Sequence, residues 1–65
     1  MDLNLLFYYI KKNNDTVKSL AEDLKVHYNT ALNKLNGKIE FNQSEISFIA
    51  KRYSLTPEEI NRIFF

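Results

Sequence analysis

The segment from Thr16 to Lys38, TVKSLAEDLKVHYNTALNKLNGK, constrains the fold more than any other part of the chain. Thr16 is a favourable N-cap, so a helix is expected to begin directly after it. The segment then shows apolar residues at the spacing of one helix face in two separate runs: Leu20, Ala21 and Leu24, then Ala31 and Leu35. This pattern predicts two short amphipathic helices joined by a tight turn.

The second of these helices carries uncharged polar side chains away from its apolar face: Tyr28, Asn29, Thr30 and Asn33. Asn can bond adenine through two hydrogen bonds, and Thr and Tyr can donate, accept or contact a thymine methyl group. The composition therefore favours a helix that contacts DNA bases, with Asn29 and Asn33 as the main readers and Tyr28 in support. Thr30 has two possible partners, a base or the phosphate backbone. Leu32 is expected either at a thymine methyl group or against the fourth helix.

The spacing L-A-x-x-L-x-V-x-x-x-T-x-x-x-x-L-N-G-K, which ends at Lys38, resembles the helix-turn-helix of lambda-repressor-like (Cro-type) phage regulators. The resemblance implies an all-α fold, a compact five-helix domain whose second and third helices form the helix-turn-helix. It also implies that Asn36 and Lys38 approach DNA phosphates. Further candidates for phosphate contacts are Lys25, His27 and Lys34, because each can carry positive charge.

Two positions differ from the family pattern. Many members have Gly at the position of Lys25, because the chain takes a left-handed conformation there. A Lys in that conformation is expected to cost roughly 1 kcal/mol. The family often has Gln at the position of Val17, where it contacts phosphate and braces the recognition helix, and Val17 can do neither.

The rest of the chain predicts three more helices and no strand. Asp2 can cap a first helix over about residues 3–12. Residues 42–45 (NQSE) form a capping-box-like start for a fourth helix, and residues 56–59 (TPEE) mark the start of a fifth. Gly37 is expected to supply the left-handed residue that ends the third helix. Sixty-five residues make a single small domain, spanning 1–65.

Composition argues against catalysis and against a membrane location. The chain has one His, one Gly and no Cys, so it offers no thiolate zinc site, Cys–His pair or Gly-rich phosphate loop. Its adjacent acidic pairs point apart on a helix, which is typical of solvated surface. We therefore expect no enzyme activity, no metal and no cofactor. No apolar run approaches 18 residues and no signal peptide is evident, so the expected location is the cytoplasm of a bacterial host cell.

Apolar residues crowd the end of the chain: Ile60, Ile63, Phe64 and Phe65. A short last helix cannot turn all four inward, and leftover apolar surface often marks a partner interface. These four residues therefore predict a homodimer interface, which would match a palindromic operator. The alternative is that Phe64 and Phe65 fold back over a thin core.

The distribution of charge also fits a DNA-binding protein. The net charge is only +1, but no acidic residue occurs between Lys25 and Ile39. The expected function is a sequence-specific regulator of transcription, a Cro-like repressor that binds double-stranded DNA as a homodimer through the major groove. The alternative is a protein-binding adaptor or antirepressor on the same scaffold. Such a role would favour more apolar surface over residues 27–34.

Overall fold

A computed structural model describes all residues, 1–65, as five α-helices with no strand. The helices are α1 (Leu3–Lys12), α2 (Val17–Leu24), α3 (Tyr28–Leu35), α4 (Gln43–Arg52) and α5 (Pro57–Phe64). The predicted all-α, five-helix fold is confirmed. None of the helices combines the length and the apolar character that a membrane crossing requires.

Local capping sets the start of four helices. The side chains of Asp2, Thr16, Asn42 and Thr56 each accept a hydrogen bond from a backbone amide in the first turn of the helix that follows. These are the predicted N-caps. The capping box expected for α4 is present, and α5 begins with a second one. The N-cap of α3, His27, makes no such bond with its side chain.

The first four helices end in the same way, with one residue in the left-handed conformation: Asn14, Lys25, Gly37 and Ser54, at φ 54°, 61°, 81° and 54°. After α2, the amides of Lys25 and Val26 donate to the carbonyls of Glu22 and Ala21, both at 3.1 Å. This pair of bonds is the Schellman pattern, which satisfies carbonyl groups at a helix end. The left-handed conformation predicted at Lys25 and Gly37 is confirmed, although only one of the four positions is Gly.

One apolar core lies between the helices and is built from eight buried side chains: Leu6, Ile10, Leu20, Leu35, Ile49, Tyr53, Ile63 and Phe64. Phe41, between α3 and α4, packs edge-on against Phe64 with ring centroids 5.4 Å apart. α2 and α3 pack against each other, and each contributes one buried Ala, Ala21 and Ala31. Burial of a large apolar side chain contributes about 1.5–3 kcal/mol, so this cluster is the main source of stability.

Arg52, at the end of α4, links three parts of the chain. Its Nε and Nη2 atoms donate to the carboxylate of Asp15 at 2.7 and 3.1 Å. It also donates to the carboxylate of Asp23 and to the hydroxyl of Ser19, the latter at 3.2 Å. The hydroxyl of Tyr53 donates to Asp15 at 2.7 Å. These bonds anchor the start of α2 to the end of α4.

The capping-box glutamates of α4 and α5 each hold a second helix as well. Glu45 accepts a bond from the backbone amide of its own N-cap at 2.9 Å and from the ammonium group of Lys34, on α3, at 2.5 Å. Glu59 accepts a bond from its N-cap amide at 2.7 Å and from the hydroxyl of Tyr9, on α1. Helix capping and the docking of neighbouring helices therefore share the same carboxylates.

Candidate nucleic-acid interface

The outward side of α3 presents a row of amide side chains. Asn29, Asn33 and Asn36 recur at i, i+4 and i+7, so helical geometry places them one above another. Asn29 and Asn36 are exposed and Asn33 is half-buried, whereas Ala31 and Leu35 of the same helix are buried. The resemblance predicts a phosphate contact for Asn36, but the spacing of Asn36 places it in line with the two predicted base readers.

The other two predicted base contacts lie outside this row. Tyr28, the first residue of α3, is 49% exposed, and Thr30 is half-buried. By helical spacing Thr30 lies away from the row, toward the side of the helix that carries Lys34. This position is more compatible with a contact to the phosphate backbone of DNA than with a contact to a base. Leu32 is half-buried.

Three exposed basic side chains border the row. Lys25 lies in the turn before α3, His27 caps the helix, and Lys38 follows its end. None of the three forms an ion pair within the protein, whose ion pairs involve only Lys34 and Arg52 as cations. The charges of Lys25 and Lys38 therefore remain free for an anion from outside, and no acidic residue lies between them along the chain.

Lys34 requires a correction, because its ammonium group lies inside the protein. Its side chain is 10% exposed, it is bound to Glu45, and it lies 5.9 Å from the centroid of the Phe41 ring. The helical period could have indicated this position, because Lys34 adjoins Leu35 and lies three residues from Ala31 on the buried side. Its acidic partner depends on how α4 docks, which no local pattern specifies.

The predicted dimer interface also requires a correction. Ile63 and Phe64 belong to the core of a single copy, with 0% and 9% exposure, and Ile60 is half-buried against it. Phe64 is held inward by its contact with Phe41. Of the four predicted residues only Phe65 is largely exposed, at 69%.

Phe65 lies beside an apolar groove that sequence reasoning missed. The groove encloses about 320 Å³ and is lined mainly by apolar side chains, including Met1, Leu3, Ile39, Phe41 and Ile46. Met1 and Ile39 are themselves exposed, so the apolar surface extends beyond the groove. It combines both chain ends with the α3–α4 link, and these segments are too far apart in sequence for a periodic pattern to connect them.

The surface around α3 carries side chains whose chemistry matches two kinds of group. Its amide row offers paired donors and acceptors, which match the edges of bases, and the ammonium groups of Lys25 and Lys38 match phosphates. Searches against protein-family models, curated proteins and solved structures found no match to this chain.

Proposed function

We propose that this chain is a sequence-specific DNA-binding regulator of the lambda-repressor-like, Cro type, in which α2 and α3 act as a helix-turn-helix and α3 enters the major groove. The observation that carries the proposal is the row of Asn29, Asn33 and Asn36, bordered by cations that have no partner within the protein. Asn reads adenine through paired hydrogen bonds in that groove. Lys25 and Lys38 would fix the protein on the phosphate backbone.

In this proposal the protein acts as a homodimer on a palindromic operator. An eight-residue helix reaches only a few base pairs, and a two-fold dimer would place one α3 in each of two major grooves about 34 Å apart. The apolar surface formed by Met1, Ile39 and Phe65 supports such pairing, because exposed patches of this kind often mark interfaces. A dimer bound at a promoter would repress transcription by blocking polymerase.

Selection of bound duplexes from a random DNA library tests the proposal. The expected result is an enriched palindrome with half-sites about 10 base pairs apart. Asn33→Ala should then weaken operator binding by ~1–3 kcal/mol and leave binding to random DNA unchanged. Asn4→Ala, which removes an exposed Asn from α1, is the matched control. Equal losses on operator and random DNA would remove Asn33 from base recognition.

A protein-binding adaptor or antirepressor is the second candidate, and the apolar groove beside Phe65 favours it. This role would leave α3 without a sequence preference. If the library yields no enriched sequence and retention on DNA is weak and salt-sensitive, the proposed function becomes that of a protein-binding adaptor or antirepressor. Met1, Ile39 and Phe65 would then be the residues through which to search for a protein partner.

A further inference from the structure

The ion pair between Lys34 and Glu45 is the least exposed of the three in the protein. Its two side chains are 10% and 9% exposed, and Nζ lies 2.5 Å from Oε1. Lys34 belongs to α3 and Glu45 to the first turn of α4, so the pair joins the proposed recognition helix to the helix that follows it.

Stability alone is a weak reason for such a pair. Removing two charges from water costs free energy that their attraction need not repay, and apolar residues of similar size often stabilise a core equally well. What an ion pair adds over apolar packing is direction, because the ammonium group must meet the carboxylate at one place. The pair is therefore suited to fixing how α3 lies against α4.

Glu45 is itself held in a fixed position. Its carboxylate accepts a hydrogen bond from the backbone amide of Asn42 at 2.9 Å. Its own backbone amide donates a hydrogen bond to the side-chain oxygen of Asn42 at 2.8 Å. The carboxylate that binds Lys34 is thus tied to the backbone at the start of α4. The ammonium group of Lys34 therefore binds a carboxylate whose position relative to α4 is fixed.

Lys34 directly follows Asn33, and helical spacing turns it roughly 100° away from Asn33, to the side of α3 that meets Glu45. We infer that Lys34 and Glu45 are positioning residues for DNA recognition: they fix the rotation of α3 about its own axis and so direct Asn29, Asn33 and Asn36 outward. Paired hydrogen bonds to a base tolerate little change in distance or angle. This inference rests on the proposed function, because the row matters only if α3 reads bases.

The test replaces the pair by neutral residues of similar size, in the double variant Lys34→Met with Glu45→Gln. Gln can retain the capping box, and Met retains most of the unbranched Lys side chain. The matched control is Lys51→Met with Glu58→Gln, which removes the same two charges from exposed positions without an ion pair. Affinity for the selected operator and for random DNA is measured at several salt concentrations.

We expect the double variant to lose roughly tenfold in operator affinity, the equivalent of one weakened base contact, while its affinity for random DNA stays constant. The slope of log affinity against log salt should equal that of the control. Unchanged preference for the operator would overturn the inference. A slope reduced by about one would also overturn it, because Lys34 would then be contacting phosphate.

A measurement without DNA separates this inference from the proposed function. Residual dipolar couplings of the amides of residues 28–35 and 43–52 report the orientation of α3 relative to α4, including the rotation of α3 about its own axis. That orientation should change in the double variant and not in the control, and unchanged couplings would contradict a positioning role. If wild-type protein enriches no operator, the proposed function fails, whereas the couplings still test the pair. If the double variant does not fold, Lys34→Met alone removes the contact between the two helices and leaves the capping box of Glu45 in place. An unaltered orientation of α3 in that variant would equally contradict the inference.

Discussion

Asp15 makes the polar interaction whose contribution to stability follows most directly from the structure. Its carboxylate accepts two bonds from Arg52 and one from the hydroxyl of Tyr53. The bonds from Arg52 are the largest cause that lowers the pKa of Asp15 from 3.8 to about 2. A shift of this size corresponds to ~2.4 kcal/mol. Because the pair lies at the edge of the protein and water screens part of the attraction, we expect ~1–2 kcal/mol.

Asp15→Asn removes the negative charge and keeps the size of the side chain. The pKa of Asp15 is lower in the folded protein than in the unfolded chain. The charge therefore stabilises the fold above about pH 4, and this contribution is lost as the pH falls through 3.8 toward about 2. The variant should accordingly be ~1–2 kcal/mol less stable than wild type at neutral pH. The difference should shrink in acid, where wild type also loses its charge.

Urea unfolding followed by far-ultraviolet circular dichroism, repeated from neutral pH down to about pH 2, measures this difference. Glu22→Gln is the control, since it neutralises an exposed acid of α2 that forms no ion pair. A free-energy difference for Asp15→Asn that stays constant over the whole pH range would refute the reasoning. So would a variant as stable as wild type at neutral pH.

Four other substitutions test separate features. Lys25→Gly should raise the free energy of unfolding by ~1 kcal/mol, because Gly adopts the left-handed conformation without strain; a lower urea midpoint would contradict this. Ile63→Ala should cost ~2–5 kcal/mol, whereas Phe65→Ala should change the stability of a single copy by less than ~0.5 kcal/mol and weaken self-association in sedimentation. Similar stability losses at both positions would conflict with their different burial. Lys38→Ala should reduce the salt slope of DNA binding by ~0.9 per copy, and an unaltered slope would show that Lys38 points away from phosphate.

The ends of the helices could be predicted because capping depends on a few neighbouring residues. Asn42 and Glu45 specify the start of α4 within a single turn, and the two capping bonds form between residues three apart. The left-handed conformation at Lys25 was likewise a local expectation, drawn from the resemblance to a known motif. Such features do not require knowledge of how helices pack.

Contacts between helices could not be predicted in the same way. Periodicity indicated that the last residues are apolar, but it could not show that Phe41 holds Phe64 inward and leaves Phe65 outside. It could not identify Glu45 as the partner of Lys34 either, because the two meet only when α4 docks against α3. The corrections to the candidate site therefore fall where a distant segment decides the environment of a side chain.

The shared use of Glu45 and Glu59 has a consequence for folding. Each carboxylate completes the first turn of its own helix and also binds another helix, and the contact between Glu59 and Tyr9 joins residues 50 positions apart. Isolated helices of eight or ten residues are marginal in water. If α1 undocks, the start of α5 loses a contact to Glu59, and if α3 undocks, the start of α4 loses a contact to Glu45. Local helix formation and long-range assembly are thus coupled, and the chain should fold in a single cooperative transition rather than helix by helix.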